Sequence, residues 1–360
     1  MRRSAADAGY ALEPAFAAAL NGVGFSSGNR AAIAVSGGGD SVALMHLAAD
    51  WSKRHGVTSP VVLTVDHGLR AQSASDATKV ANWAEDLGLK AAVLVWQGAK
   101  PRAGIEQHAR NARYSLLGEW CIAHRIPYLL LGHTRDDQAE TFLMRLARGS
   151  GIDGLASMPQ QGPLPVPRYS SVELLRPLLE FSRDSLRNYL RQRGAAWLDD
   201  PMNHDPAFAR VRVRQLLPAM AAAGLTPERI ADASTHIARA RSALQANTRS
   251  FLEQHVQFCD VAASAAPEAL LDGGALRQLP SEIGLRVLSE ILLRIGGAIY
   301  RPRFERLERL YRVILDGGLR GQTLAGCCVT PAPRSRQCYG MHTVLVRPEL
   351  GRKTGRPASA

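Results

Sequence analysis

Six residues, Ser36-Gly37-Gly38-Gly39-Asp40-Ser41, join the apolar run 31–35 to an apolar helical pattern that begins at Val42. No other feature constrains the fold as strongly. A strand that enters a helix through consecutive glycines leaves several backbone N–H groups unpaired and convergent at the positive end of the helix dipole, and such a nest binds phosphate. A Walker loop needs a lysine before its final Ser/Thr, and a dinucleotide-binding turn needs separated glycines, so this junction is neither. Ser36 and Ser41 add hydroxyl donors. Asp40 is an anion beside the phosphates, a placement that makes chemical sense with a divalent cation between the two.

The flanking pattern supplies the scaffold. The runs 31–35, 61–66, 91–96 and 127–132 are uniformly apolar rather than alternating, as in strands buried on both faces. Helical stretches lie between them, such as 73–87 with Val80, Trp83 and Leu87 on one face and Gly88 beyond its end. Together they predict β-α units and a parallel sheet covered by helices on both sides, whose ligands sit beyond the carboxyl ends of the strands. The Pro/Gly-rich passage 158–171 is expected to close this domain or to form a loop at its edge. Beyond it the pattern is mainly helical: Ser182 can cap a helix through Leu190, and Thr226-Pro227-Glu228 opens an amphipathic stretch towards Val256. From Gly317 the pattern turns short and strand-like. The expected fold class is α/β: a Rossmann-like, parallel-sheet nucleotide-binding domain followed by a mainly helical domain with a small strand-rich C-terminal part. The expected bounds are 1–217 for the catalytic domain, with its core at 28–157, then 218–350 for the helical domain, and a disordered tail at 351–360.

Four further segments put chemistry near the strand ends. In "VDHGLR" (65–70), Asp66 and His67 leave the second strand where an adenosine beside the phosphate nest would reach, and a turn held by the aspartate would read the same way. In "IEQHARNARY" (105–114), Glu106, Arg110 and Arg113 share one helix face, which fits a surface ion pair as well as a grip on substrate. In "LGHTRDDQAETFLMRLARGSGIDGL" (131–155), His133 ends a strand, Asp137 and Glu140 lie three apart at the start of a helix, and Leu143 and Leu146 are expected to anchor that helix. Two carboxylates facing a nucleotide site suit a cationic co-substrate. In "DDPMNHDPAFARVRVR" (199–214), Arg210, Arg212 and Arg214 occupy alternate positions.

With the SGGGDS loop, these segments resemble the ATP pyrophosphatases and, within that group, the tRNA(Ile)-lysidine synthetases. They span nearly the whole first domain and its exit. Two places depart from the family pattern: its usual DPSN reads Asp200-Pro201-Met202-Asn203, and its Arg-Asn pair reads Arg210-Val211. The resemblance implies that ATP activates C2 of the wobble cytidine of a CAU-anticodon tRNA(Ile), and that the ε-amine of L-lysine then attacks to give lysidine, AMP and pyrophosphate. It implies ATP contacts at Ser36, Gly37, Gly38, Gly39, Asp40, Ser41, Asp66, His67 and His133, with Mg²⁺ held at Asp40 through the phosphates. Lysine contacts are implied at Asp137 and Glu140. Arg214, with Arg210 next, is the arginine expected to act with Asp40 at the reacting centre. Contacts to tRNA are expected at Arg110, Arg113, Arg145 and Arg148. In "YRPRFERLERLYRVIL" (300–315), Phe304, Leu307, Leu310, Tyr311 and Ile314 recur at helical spacing towards a core, leaving Arg306 and Arg309 to face solvent or RNA.

Composition bears on the alternatives. The net charge of +12 is uneven: residues 1–100 carry nine Lys/Arg against eight Asp/Glu, so the excess lies downstream, as suits a polyanionic partner. The five cysteines include no CxxC and no Cys/His set at zinc spacing, which points to a reducing cytoplasm. Asp7 and Glu13 interrupt an N-terminus without a continuous apolar core, so no signal peptide is expected, and no run reaches membrane-spanning length. A tRNA thiolase would share the loop but need catalytic or cluster-binding cysteines, whereas Cys121, alone in the first domain, is expected to be structural. A non-catalytic RNA-binding protein with a degenerate nucleotide fold would have no use for Ser36, Asp40, Ser41, Asp137 and Glu140 together.

Overall fold

A computed structural model describes residues 12–349, apart from 27, 99, 102, 200–204, 206, 260–266 and 299. The expected tail at 351–360 and the Asp200-Pro201-Met202-Asn203 segment lie outside the described residues. Helix α1 (Leu12–Gly22) precedes β1 (Ala31–Ala34), α2 (Gly39–His55), β2 (Val61–Asp66), α3 (Ser73–Asp86), β3 (Ala91–Val95), α4 (Ile105–Ala123), β4 (Tyr128–Leu131) and α5 (Arg135–Leu146). A short helix, α6 (Ile152–Leu155), leads to β5 (Gln161–Pro163), β6 (Glu173–Leu175), α7 (Arg183–Gln192), α8 (Ala209–Ala222) and α9 (Pro227–His255). The described residues up to Ala238 form one compact unit and those from Arg239 a second.

In the first unit the strands lie in the order β3-β2-β1-β4-β6-β5. All neighbours are parallel except the edge strand β5, which runs antiparallel to β6. Successive residues point to opposite faces. Ile33, Val62, Leu130 and Leu175 join the core formed with α1, α2, α3 and α7. Ala32, Leu63, Leu129, Leu131 and Leu174 join a second core with Tyr114, Leu117 and Cys121 of α4. Burial on both faces is why these strands show no polar alternation; β3, expected to be buried likewise, is instead an edge strand, with Val93 and Val95 exposed. The Pro/Gly-rich passage is more than a closing loop: Gln161–Pro163 adds the sheet's edge strand, where a proline removes no needed ladder bond.

Strand order reverses between β1 and β4, so the loops leaving these two strands flank a crevice. Gly132, directly after β4, lies against the first turn of α2; a Cβ there would come within 3.0 Å of the Ser41 Cα. Helix α5 packs through Ala139, Phe142 and Leu143 on Leu217, Met220 and Ile230 of α8 and α9. Leu146, expected to anchor α5, is exposed instead, because that partner surface ends at Leu143.

The second unit holds an antiparallel sheet in the order β7-β8-β11-β10-β9. Its strands are β7 (Val256–Cys259), β8 (Glu268–Asp272), β9 (Gln322–Leu324), β10 (Cys327–Pro331) and β11 (Thr343–Pro348), with helices α10 (Gly273–Leu276), α11 (Ser281–Gly296) and α12 (Phe304–Leu315) between β8 and β9. Strands therefore begin well before Gly317; β7 and β8 are runs too short to carry a period. On α12, Leu307, Leu310, Tyr311 and Ile314 are buried as expected, but Phe304 is exposed, since it is the helix's first residue and lies beyond the covered face. No helix among the described residues is long and apolar enough to cross a membrane.

Candidate active site

A cleft of about 660 Å³ opens at the carboxyl ends of β1, β2 and β4 and is lined on one side by Ser36, Gly38, Gly39, Asp40 and Ser41. Gly37 turns the chain there with φ +89°, and a Cβ on it would lie 2.5 Å from Leu198 Cδ1. Its carbonyl accepts a hydrogen bond from the Leu198 N–H at 2.8 Å, so only glycine fits both the turn and its neighbour. The serines fold the loop on itself. Ser41 Oγ donates to the Gly38 carbonyl at 2.9 Å and accepts from the Ser36 N–H at 3.2 Å, and the two hydroxyls are 3.3 Å apart. Gly38 caps α2 without any side-chain bond, which leaves the helix's first N–H groups for a ligand in the cleft.

Asp40 sits in the first turn of α2. Its Oδ2 accepts from Arg183 Nε at 3.2 Å, while its buried Oδ1 has no hydrogen-bond partner among the described residues. Burial raises the Asp40 pKa above the ordinary value, against the lowering influence of Arg183. A carboxylate oxygen stranded beside a phosphate nest suits a divalent cation shared with phosphate oxygens. No group of three His, Cys, Asp or Glu among the described residues is arranged to hold a metal alone, so phosphate would have to complete the shell.

The exits of β2 and β4 supply two histidines. His67 and His133 line the cleft, each with a buried Nδ1 that has no hydrogen-bond partner among the described residues. Burial lowers both pKa values, that of His133 to about 4, so both rings are neutral at pH 7. Asp66 does not line the cleft; its Oδ1 accepts from the Gly68 N–H at 2.8 Å and holds its own turn.

Opposite the loop, α5 begins with a capping box. The Thr134 N–H and Oγ1 donate to Asp137 Oδ2 at 2.9 and 3.0 Å, which fixes that side chain and leaves Oδ1 free to face the cleft. Oδ1 meets Arg183 Nη2 at 3.2 Å. One turn on, Glu140 is fully buried: Arg183 Nη1 and Arg214 Nε each donate to its Oε1 at 2.9 Å, and Arg214 Nη2 to Oε2 at 3.3 Å. Arg210 adds looser contacts, 3.7 Å to Asp137 and 3.6 Å to Glu140. Burial pushes the Asp137 carboxyl up, but Arg183, joined by other charges and the Thr134 N–H, outweighs it and holds the pKa below the ordinary value. Burial also disfavours the charged form of Arg183, and Glu140, Asp137 and Asp40 more than reverse that effect.

Arg183 was not foreseen from the sequence. Its one local signal is a basic residue placed directly after the Ser182 cap, where the helix dipole disfavours it. Of the three alternate arginines, 210 and 214 are four apart on α8 and reach the cleft together, while Arg212, on another face, donates to the Ala207 carbonyl at 2.9 Å. Arg113 lines the cleft, and burial lowers its pKa. Arg110 and Arg148 are exposed, Arg110 lying over the Tyr114 ring. Arg145 is occupied structurally, donating to the Gly154 carbonyl at 2.8 Å. Arg306 and Arg309 are exposed on α12 of the second unit.

Residues 12–220 match the PP-loop domain family ATP_bind_3. Three curated relatives named tRNA(Ile)-lysidine synthase are similar to the chain. The one from Wolbachia pipientis wMel is 37% identical, covering 93% of this chain and 74% of the relative. Those from Ruegeria pomeroyi and a Bradyrhizobium species are 44% and 42% identical, each across 83% of this chain, covering 68% and 87% of the relatives. The chain belongs to the tRNA(Ile)-lysidine synthase family. The U34-tRNA thiolase NcsA from Methanococcus maripaludis, solved with its [4Fe-4S] cluster, shares the fold at TM-score 0.51 and 17% identity, over 64% of this chain and 77% of that one. In this member of the lysidine synthase family, Cys121 is fully buried in the α4 core, and burial pushes its thiol up to about 12, as befits a packing residue.

Proposed function

We propose that this protein joins L-lysine to C2 of the wobble cytidine of a CAU-anticodon tRNA(Ile), through an adenylated tRNA and with release of AMP and pyrophosphate. The observation that carries the reading is a phosphate nest and Asp137 in one cleft, with Glu140, buried and not itself lining the cleft, ion-paired to the cleft's Arg183 and Arg214, and with Arg183 also joined to Asp40. The cytidine O2 would attack the α-phosphorus of ATP while the N–H groups at the start of α2 hold the departing pyrophosphate, bonds that strengthen as its charge grows. His67 and His133 line the cleft, kept neutral by burial, and would contact the adenosine without repelling the metal or the substrate cation. Arg214 and Arg210 are the more exposed cluster arginines and would meet the charge that develops on the adenylate. Mg²⁺, held at Asp40 and the phosphates, would neutralise phosphate charge. Asp137 and Glu140 would hold lysine for attack on the activated C2, expelling AMP.

The target base must leave its stack, which an anticodon loop permits at low cost. Arg110, Arg113, Arg148, Arg306 and Arg309 are proposed as tRNA contacts; Arg145, by its bond to Gly154, serves the α5–α6 turn. All five cysteines are free thiols, which supports work in a reducing cytoplasm. The test is incorporation of labelled lysine by the purified protein into unmodified tRNA(Ile). Incorporation that requires ATP and the wobble cytidine is expected. ATP cleavage with tRNA but no lysine transfer would overturn the reading.

A further inference from the structure

The three carboxylates of the cluster, Asp40, Asp137 and Glu140, are matched by three guanidinium groups, those of Arg183, Arg210 and Arg214. The set is electrically balanced before any substrate arrives. Arg187, one turn beyond Arg183 on α7 and also lining the cleft, adds a positive charge near Asp40, and His133 contributes none at pH 7. An ammonium group entering a balanced, largely dry cluster gains little unless a resident cation leaves. The three arginines are not equally able to leave. Arg183 has a side-chain exposure of 12%, and its three nitrogens each bond a different carboxylate at 2.9–3.2 Å. Arg210 is 43% exposed and held only at 3.6–3.7 Å.

We propose that Arg183 is the fixed counter-ion of the amino-acid subsite and makes lysine binding conditional on nucleotide binding. It is a positioning residue: it fills the gap between Asp40 and the Asp137–Glu140 pair, and keeps the cluster neutral. Arg210 lines the same cleft as the phosphate nest, so the phosphates of bound ATP would draw it off its long contacts. The vacated negative charge then admits the ammonium. Lysine and nucleotide thus bind with positive coupling, each strengthening the other by the same factor. This rests on the reading that Asp137 and Glu140 receive lysine.

The experiment is calorimetric titration of L-lysine into the full-length protein, with and without Mg²⁺ and the non-hydrolysable analogue α,β-methylene-ATP. In the wild type the analogue should tighten lysine binding by about tenfold or more, within the usual range of allosteric coupling. In Arg183→Gln only Arg210 and Arg214 remain paired with the carboxylates, so lysine should bind unaided and the coupling should shrink below about threefold. Arg183→Lys keeps the charge but loses the three-way fork, and should retain most of the coupling. A merely structural arginine would give the opposite pattern, with Gln and Lys variants equally damaged and coupling unchanged in whatever binding survives. Equal lysine affinity with and without nucleotide in the wild type, a measurement needing no variant, would overturn the inference while leaving the proposed function intact. Absence of lysine binding under every condition would overturn both.

Discussion

The phosphate-facing loop takes its residues from one stretch, Ser36 to Ser41, whereas the cluster beside it draws Asp40 from α2, Asp137 and Glu140 from α5, Arg183 from α7, and Arg210 and Arg214 from α8. The loop's serines hold it by bonds spanning three to five residues, and the Leu198 N–H adds a long-range bond to the Gly37 carbonyl. The cluster is held by ion pairs spanning as many as 143. The two also differ in charge design: the loop leaves N–H donors and Asp40 Oδ1 open, while Asp137 and Glu140 are satisfied within the cluster and its capping box. An open nest can take an anion at once, but a closed cluster must exchange one partner for another. Asp40 and Arg183 connect the two designs.

The largest effect is expected where the two regions meet. Asp40→Asn should cut lysine incorporation by at least about 10³-fold, since it removes the charge that would hold the metal at the phosphates. Thermal unfolding should show little loss of fold; near-normal turnover would detach the loop from the chemistry. Next, Glu140→Gln should raise the lysine KM by about 10–100-fold, equivalent to about 1–3 kcal/mol for one charged partner, with much less change for ATP. Steady-state kinetics in each substrate would show this, and parallel changes in both constants would merge the two regions into one.

Gly37→Ala tests the loop alone. At φ +89° and with Leu198 in contact range, the alanine should cost about 1–2 kcal/mol of stability and weaken nucleotide binding more than lysine binding, as read by denaturation and titration. A smaller effect is expected from pH. With a folded pKa near 4 against about 6.5 when unfolded, His133 takes up its proton more readily in the unfolded chain. Stability should therefore fall as pH drops from about 6.5 towards 4 and gain no further slope from this group below that, and His133→Gln should flatten that limb of a pH–stability profile. The smallest effect concerns the second unit: Arg306→Ala with Arg309→Ala should reduce the salt dependence of tRNA binding by about two phosphate contacts while leaving nucleotide affinity unchanged.

The same contrast explains what could be read in the sequence. The glycine loop, the strands β1 to β4 and the helix from Pro227 announce themselves through contiguous composition and period, and each is present within a residue or two of its expected bounds. The pairing of Asp137 with Glu140 was legible because helical spacing puts them on one face. Arg183 was not, because no local pattern says that an arginine after a serine cap will meet carboxylates 43 to 143 residues away. Leu146 and Phe304 fit their helices' periodicity and are nonetheless exposed, since period fixes a face but not how far its partner extends. The edge strand β5 and the short strands β7 and β8 depend on partners for their identity.

The central claim is that the loop and the cluster serve successive steps of one reaction. Single-turnover incubation with ATP labelled in the α-phosphate and tRNA(Ile), in the absence of lysine, should yield AMP attached to tRNA in both the wild type and Glu140→Gln. Adding lysine should discharge that adenylate rapidly from the wild type and slowly from the variant. Failure of either protein to form tRNA-linked AMP, or discharge by Glu140→Gln at the wild-type rate, would contradict the account.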